Sequence, residues 1–158
     1  MKTGRKILGN INYLLNDAHL FFPAKILVTQ ENLYELYRED LDKTEFEKIL
    51  FIKGGNVEET ANIMAECRES DALIIAFGGG SVLDAVKYSA STIDKPYITI
   101  PSALSNDAIY STVARLVKNG QKVGFDVQPP MGIIVDIDVI RNSPREPLLA
   151  GIADLVSN

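Results

Sequence analysis

The stretch that decides the fold is ALIIAFGGGSVLDAVKYSA, residues 72–90. It opens on a short apolar run, passes through Gly78, Gly79 and Gly80, and continues with apolar residues at helical spacing. An apolar run ahead of glycines is typical of a buried strand, and the spacing that follows predicts a helix. Because glycine is costly in conformational entropy, three in succession indicate a sharp turn, a close packing contact or a ligand.

The same alternation of strand and helix extends in both directions. Further short apolar runs predict strands at 25–29, 48–52, 97–100 and 131–136. Strands that are apolar throughout have both faces covered, which favours an α/β fold with an open, mostly parallel, doubly wound (Rossmann-like) sheet and right-handed crossovers. After Ser111 the apolar residues alternate on either side of Asn119-Gly120, and this pattern predicts an added β-hairpin.

Helices are predicted where apolar residues recur every three or four positions. The first covers 7–15, the second 33–41, and the third follows an Asn56 N-cap with Glu59 three residues on. The residues predicted for the buried face of the third helix are Val57, Ala61, Met64 and Ala65. Cys67 lies near that face and is interpreted as a small core residue. Ser143-Pro144 predicts the start of a last helix.

Composition limits the classes of function. The chain has 158 residues, 46% of them hydrophobic and 23% charged, which is typical of a globular protein rather than a disordered one. The net charge of −5 argues against nucleic acid as the main partner, and no apolar run is long enough for a membrane span. A single cysteine fits a reducing compartment, so we expect a cytoplasmic protein. The single histidine, His19, is interpreted as a surface residue rather than a metal ligand.

The glycines point to an anion. A helix N-terminus presents unpaired backbone N–H groups and a partial positive charge, and glycines ahead of it let a phosphate approach closely. The stretch matches neither the G-x-G-x-x-G fingerprint nor the Walker loop. A purely structural interpretation stays open: Ser81 and Asp84 have the form of a capping box, with Ser81 as the N-cap and Asp84 suiting the helix dipole in the first turn.

Polar residues also follow the next strand. Small hydroxyls, an amide and a carboxylate gather there, at Ser102, Ser105, Asn106, Asp107 and Ser111. Such a group suits a polar ligand, although a polar loop capped by Ser105 or Asp107 remains the alternative. In the last predicted helix, Asp154 lies on a stripe of small residues. That arrangement permits close approach by a backbone, a ligand or a metal, with a solvent-exposed acid as the alternative.

These pieces together resemble a known family. GGGS-x-x-D-x-x-K, IPSALSNDAIYS, GIIVDIDVI and AGIADLVSN occur in this order, as in the N-terminal half of the glycerol-1-phosphate dehydrogenase group. That group lies within the dehydroquinate-synthase-like, iron-containing alcohol dehydrogenase superfamily, and glycerol dehydrogenases are close cousins. The resemblance implies an NAD(P)-dependent, metal-dependent oxidoreductase that interconverts a polyol or polyol phosphate and its ketone. It also implies an NAD(P)-binding α/β domain over 1–143 and the first helix of a helical metal-binding domain over 144–158. A homo-oligomer acting on a small molecule, with no nucleic acid or membrane partner, is expected.

The resemblance assigns roles residue by residue. The positions that it places against the nucleotide are Gly79, Gly80, Ser81, Val82, Asp84, Ser102, Ala103, Ser105 and Ser111. Among these, the first three would hold the pyrophosphate, and Ser111 would lie near the nicotinamide. Asp107 would contact the substrate hydroxyls. Asp154 would be the first ligand of a divalent metal (Zn, Ni or Fe), with the histidine ligands in the helical domain.

The sequence departs from the family pattern at two points. Asn106 and Ala108 stand where the archaeal-type enzymes have histidine and glycine, which leaves the substrate open. No aspartate for a ribose hydroxyl follows the strand at 25–29, so NAD and NADP both remain candidates. Glycerol dehydrogenase proper, a lyase of the dehydroquinate synthase type, and a non-catalytic α/β module that binds a phosphorylated metabolite are the alternative functions.

Overall fold

The computed structural model describes residues 2–17, 22–103 and 109–143, and this part of the chain is an α/β fold. Its strands are β1 (Lys2–Gly4), β2 (Lys25–Thr29), β3 (Lys48–Phe51), β4 (Leu73–Gly78), β5 (Tyr97–Pro101), β6 (Val113–Lys118), β7 (Gln121–Asp126) and β8 (Gly132–Asp136). Its helices are α1 (Ile11–Asp17), which follows a 3₁₀ turn at Leu8–Asn10, α2 (Glu31–Leu36), α3 (Arg38–Leu41), α4 (Val57–Cys67), α5 (Gly80–Thr92) and α6 (Ile137–Arg141).

Six of the described strands form one parallel sheet in the order β3-β2-β4-β5-β8-β1. Strand β2 pairs with both β3 and β4, so the order of strands along the chain reverses between β2 and β4. Ligands of such sheets bind beyond the carboxyl ends of the strands at this switch point. The predicted doubly wound sheet is confirmed, and the glycines that follow β4 lie at the switch point.

The hairpin of β6 and β7 is confirmed as well. The two strands pair antiparallel from Val113 opposite Asp126 to Lys118 opposite Gln121. Both turn residues have left-handed backbone angles, with φ of 51° at Asn119 and 77° at Gly120. That combination defines the turn whose twist matches a two-residue hairpin.

Apolar side chains fill both faces of the sheet. On one face, Ile74 and Ala76 pack with residues of α4, α5 and the hairpin. On the other face, Ile75 and Phe77 pack with the 3₁₀ turn, α1 and α3. Adjacent residues of β4 therefore pack into the cores on opposite faces of the sheet, which explains why the whole strand is apolar.

The predicted buried face of α4 is wrong at Ala61 and Ala65, whereas Val57 packs against the core as predicted. Thr60, Ile63 and Cys67 are the buried residues of this helix, whereas Ala61 and Ala65 are exposed. Thr60 satisfies its hydroxyl within the helix, by donating to the Val57 carbonyl 2.6 Å away, and so can face the core. The predicted N-cap is confirmed, because the Asn56 side chain accepts from the Glu59 N–H at 2.8 Å.

Some short elements differ from the prediction. The helix predicted at 33–41 is two helices, α2 and α3, separated at Tyr37, and Leu36 is exposed. Strand β1 and helix α6 were not predicted. Strand β1 pairs with β8. Asp136, the last residue of β8, caps α6, and its buried carboxylate accepts from the N–H groups of Asp138 (2.9 Å), Ile7 (2.5 Å) and Leu8 (3.0 Å), the last two in the turn that follows β1. The helix predicted from Ser143-Pro144, and with it the division at 143/144, lies outside the described residues.

Candidate functional site

Helix α5 begins inside the triglycine, not at Ser81. Gly79 is the N-cap, and its carbonyl accepts from the N–H groups of Val82 (3.0 Å) and Leu83 (3.1 Å). The capping-box interpretation is therefore wrong: Ser81 is an exposed residue of the first turn, and none of the described side chains caps this helix. Asp84 comes one turn later and is buried, so it is not the first-turn acid that the dipole argument expected.

The amides that open this helix are available to a ligand. Within the described part of the chain, the N–H groups of Gly79, Gly80 and Ser81 have no hydrogen-bond acceptor. They start a helix of 13 residues at the switch point of the sheet. Unpaired N–H groups at a helix start are an anion site when space lies in front of them.

Two of the three glycines have different reasons to be glycine. A Cβ on Gly78 would lie 2.6 Å from Cγ2 of Val82, so this position is glycine because the strand and the helix pack too closely for a side chain. A Cβ on Gly79 would meet nothing within 4 Å, and the φ of Gly79 is −79°, which any residue adopts. The fold thus requires no glycine at 79, and a bare backbone there leaves a cradle in front of the amides.

Three segments surround the start of α5. A cavity of about 250 Å³ is lined by Gly55, Gly80, Ser81, Asp84, Arg115, Val117 and Lys122. Gly55 lies in the loop after β3, so close to α5 that a Cβ on it would lie 3.0 Å from the Ser81 carbonyl oxygen. The Gly55 carbonyl also accepts from the Val117 N–H at 2.8 Å, which fastens the hairpin to this loop. The cavity walls are therefore held by backbone contacts.

A buried ion pair lies behind the cavity. Lys87 Nζ is 3.0 Å from Asp84 Oδ1, and both side chains are almost fully buried. Burial raises the pKa of the Asp84 carboxyl, and the charge of Lys87 and a backbone hydrogen bond from Arg115 oppose that rise. An anion in the cavity would therefore meet little net negative charge from Asp84, because the Lys87 ammonium balances it.

The raised pKa of Asp84 predicts a pH-dependent effect of Asp84→Asn. A carboxyl whose folded pKa exceeds its unfolded value of 3.8 binds more protons in the folded state, so the wild type loses stability as pH rises from that value through the folded pKa. Asparagine does not titrate. The free energy of unfolding of Asp84→Asn, relative to wild type, should therefore increase between about pH 4 and pH 7 in urea titrations. A difference that is constant or decreases over this interval would contradict the raised pKa.

The other predicted site residues fall into three groups. Ser102 and Ala103 lie at the end of β5, beside the glycine turn, since the Ser102 N–H donates to the Gly78 carbonyl at 2.9 Å. Ser111 is brought to the flank of α5, where it contacts Lys87. Val82 directs its side chain into the core and is 1% exposed.

The remaining predicted site residues, Ser105, Asp107 and Asp154, lie outside the described residues. His19 does too. In the part of the chain that is described, no three His, Cys, Asp or Glu side chains are grouped closely enough to hold a metal ion. Across the same residues, none of the helices combines the length and the apolar character needed to cross a membrane.

Several residues of the site were not predicted. Gly55, Arg115 and Lys122 line the cavity, and Lys87 stands behind it. The sequence carries one signal for Gly55, the Gly54-Gly55 pair after the apolar run at 48–52, which by itself indicates only the end of a strand. For Lys87 the signal was its i,i+3 spacing from Asp84, which is typical of an ordinary helix ion pair.

A comparison with protein families identifies the family of this chain. The iron-containing alcohol dehydrogenase family matches residues 3–144. The chain belongs to this family. Its curated relatives include glycerol-1-phosphate dehydrogenases [NAD(P)+]. The enzyme of Archaeoglobus fulgidus is 30% identical over 161 residues, which cover 98% of this chain and 45% of the enzyme. That of Pyrococcus horikoshii is 29% identical over 159 residues, covering 98% and 46%. The chain thus spans about half the length of these relatives.

Solved structures of the family share the fold. Glycerol dehydrogenase from Schizosaccharomyces pombe superposes with a TM-score of 0.84 at 23% identity, over 99% of this chain and 41% of that one. Sulfoacetaldehyde reductase from Bifidobacterium kashiwanohense, solved in complex with NAD+, superposes with a TM-score of 0.77 at 18% identity, over 90% and 46%. At these identities the likeness shows the fold alone, and the family assignment rests on the sequence match.

Proposed function

We propose that this chain is the nucleotide-binding part of an NAD(P)-dependent dehydrogenase of polyols or polyol phosphates. The observation that carries the proposal is the bare cradle at Gly79, in front of three amides without acceptors at the switch point of the sheet. A dinucleotide diphosphate suits such a site. The partial positive charge of the helix N-terminus balances its negative charge, and the absence of a side chain at Gly79 leaves room for it. Relatives named glycerol-1-phosphate dehydrogenase [NAD(P)+] support the substrate class.

Each site residue would then contact a particular part of the cofactor. Gly79, Gly80 and Ser81 would bind the diphosphate through their N–H groups, and Ser102 and Ala103, at the adjacent strand end, would line the nucleotide. By the family resemblance, Ser111 would lie near the nicotinamide. When bound, the nicotinamide would supply the redox chemistry, as the acceptor of a hydride from the alcohol carbon.

Two further roles in the proposal rest on the family resemblance alone. Asp107 would orient the substrate by accepting from its hydroxyls, and Asp154 would contribute one ligand to a divalent metal. Both lie outside the described residues. The helical domain proposed from residue 144 onward would supply the other ligands.

Calorimetric titration of the chain with NADH and with NADPH tests the proposal. Saturable heat with one nucleotide per chain is expected for at least one of the two. A folded sample that binds neither would overturn the proposal. A sample that binds sugar phosphates but neither nucleotide would favour the non-catalytic α/β module instead.

The charge of the hairpin provides a finer prediction. Lys122 lines the cavity, whereas Lys118, on the same hairpin and equally exposed, does not. Reversing the charge by Lys122→Glu should weaken nucleotide binding roughly three- to tenfold at low salt and less at high salt, because exposed charges a few ångströms from a ligand contribute about 1 kcal/mol and are screened. Lys118→Glu is the matched control and should change affinity by less than about twofold. Equal losses for the two variants would place the anion elsewhere.

A further inference from the structure

Lys87 is a fully buried lysine with an unusual set of partners. Its side chain is 0% exposed, and its ammonium has acceptors on several sides. Nζ lies 3.0 Å from Asp84 Oδ1, 2.9 Å from the Val113 carbonyl oxygen, and 3.2 Å from both the carbonyl and the hydroxyl oxygen of Ser111. The hydrogen bonds to Ser111 and Val113 satisfy the three donors of the ammonium, which is the condition for burying a lysine at all, while Asp84 contributes an ion pair without a hydrogen bond.

The partners of Lys87 come from two separate parts of the chain. Asp84 is one turn back on α5, the helix that starts at the glycine cradle. Ser111 and Val113 are 24 and 26 residues further along, where the connection after β5 enters the hairpin. The Ser111 hydroxyl also donates to the Val113 carbonyl at 2.9 Å, so Lys87 and Ser111 share this acceptor. The ammonium therefore joins the cradle helix to residues 111–113, where the chain enters strand β6.

A buried charge of this kind is not needed for stability. A buried ion pair contributes little net stability compared with apolar residues of the same volume, because desolvation offsets the attraction. Here the desolvation cost outweighs the attraction at Asp84, since the pKa of its carboxyl is raised despite the adjacent ammonium. What the contacts of Lys87 do provide is a fixed position of residues 111–113 relative to helix α5.

We propose that Lys87 is a positioning residue that holds Ser111 at a fixed place relative to the glycine cradle. The inference rests on the proposed function, in which the cradle binds the diphosphate and Ser111 lies near the nicotinamide. The diphosphate and the nicotinamide of the cofactor are then bound by elements that one ammonium fixes to each other. Lys87 itself would touch neither group.

The proposal makes a prediction that a purely structural role does not. ADP-ribose contains the diphosphate and lacks the nicotinamide, so it needs the cradle but not Ser111. Loss of the tether should weaken NADH binding and leave ADP-ribose binding nearly unchanged. General destabilisation or a displaced helix would weaken both ligands alike.

The variant is made in a background that avoids stranding a buried charge. Lys87→Met alone leaves Asp84 without its cation and is at risk of not folding. We therefore use Asp84→Asn/Lys87→Met, which removes both charges. Its reference is Asp84→Asn, in which the Lys87 ammonium keeps its three acceptors at Ser111 and Val113, so that any role of Asp84 cancels. Lys95→Met is the matched control, because Lys95 also donates to a carbonyl, that of Ser70 at 2.7 Å, but beyond the far end of α5.

The effect is measured in two ways: by calorimetry with both ligands, and by amide hydrogen exchange of the ligand-free protein. In the double variant, relative to Asp84→Asn, we expect NADH affinity to fall about tenfold, ADP-ribose affinity to change less than about twofold, and the amides of residues 110–114 to exchange faster. Lys95→Met should show none of these changes. Equal losses for the two ligands, or unchanged exchange at 110–114, would overturn the inference. If the wild type binds neither ligand, the proposed function fails, while the exchange data still decide whether Lys87 fixes this segment.

Discussion

Gly79→Asp is expected to abolish nucleotide binding while leaving the fold intact or slightly more stable. Gly79 is the N-cap of α5 with extended backbone angles, φ −79° and ψ −177°, and a Cβ there meets no atom within 4 Å. Aspartate is among the best N-cap residues, a few tenths of a kcal/mol better than glycine. The new carboxylate would occupy the cradle and repel a diphosphate, so affinity should fall by at least about 100-fold, or about 2.8 kcal/mol.

Gly79→Ser separates the two causes of that loss. Serine caps the helix as well as aspartate does and fills part of the same space, but it carries no charge. We expect an intermediate loss of affinity that does not depend on salt, whereas the loss in Gly79→Asp should shrink as salt rises. Thermal melting of each variant establishes that it is folded, and calorimetry measures NADH affinity. A folded Gly79→Asp protein that binds NADH as tightly as the wild type would contradict the assigned site.

Unlike Gly79→Asp, Gly78→Ala is expected to cause a large loss of stability. Its Cβ would lie 2.6 Å from Cγ2 and 2.7 Å from Cβ of Val82, a residue that is 1% exposed. Neither contact can be relieved by rotating a flexible side chain, so the start of α5 must move away from β4. Overpacking of this kind costs about 1–3 kcal/mol, which a urea titration measures directly as a lower free energy of unfolding.

Gly79→Ala is the control for that measurement. It adds the same methyl group one residue later, in open space and at a negative φ. Its free energy of unfolding should fall by less than about 1 kcal/mol, because alanine is a poorer N-cap than glycine but also restricts the unfolded chain. Similar losses in Gly78→Ala and Gly79→Ala would show that the two glycines have the same role, contrary to the geometry.

The sequence predicts the sheet well because the sheet is a property of local composition. Strands such as β4 are apolar at every position, which only a two-sided core explains, and each is bounded by glycine or proline. The hairpin followed from Asn119-Gly120, whose residues tolerate left-handed angles. Strand β1, with the sequence KTG, has no apolar residue and is held by pairing with β8, so no local pattern indicates it.

The start of helix α5 was predicted close to the triglycine but not at the correct residue. The triglycine indicated an anion at a helix start, yet the capping-box pattern moved that start to Ser81. A glycine N-cap has no side chain and so leaves no mark in the sequence that distinguishes Gly79 from its neighbours. The burial of Lys87 was not predictable, because its acceptors at Ser111 and Val113 are distant in sequence. A charged residue on a helix is typically at the surface.

The binding of the dinucleotide diphosphate by the amides of residues 79–81 is tested most directly by following backbone amide resonances of the ¹⁵N-labelled chain during titration with NADH. We predict that the amide signals of Gly79, Gly80 and Ser81 shift most and saturate together, with smaller shifts at Ser102 and Ser111. Saturable shifts elsewhere, for example around the cavity that Asn12 and Phe22 line at the opposite end of β2, with the signals of residues 79–81 unmoved, would contradict the account.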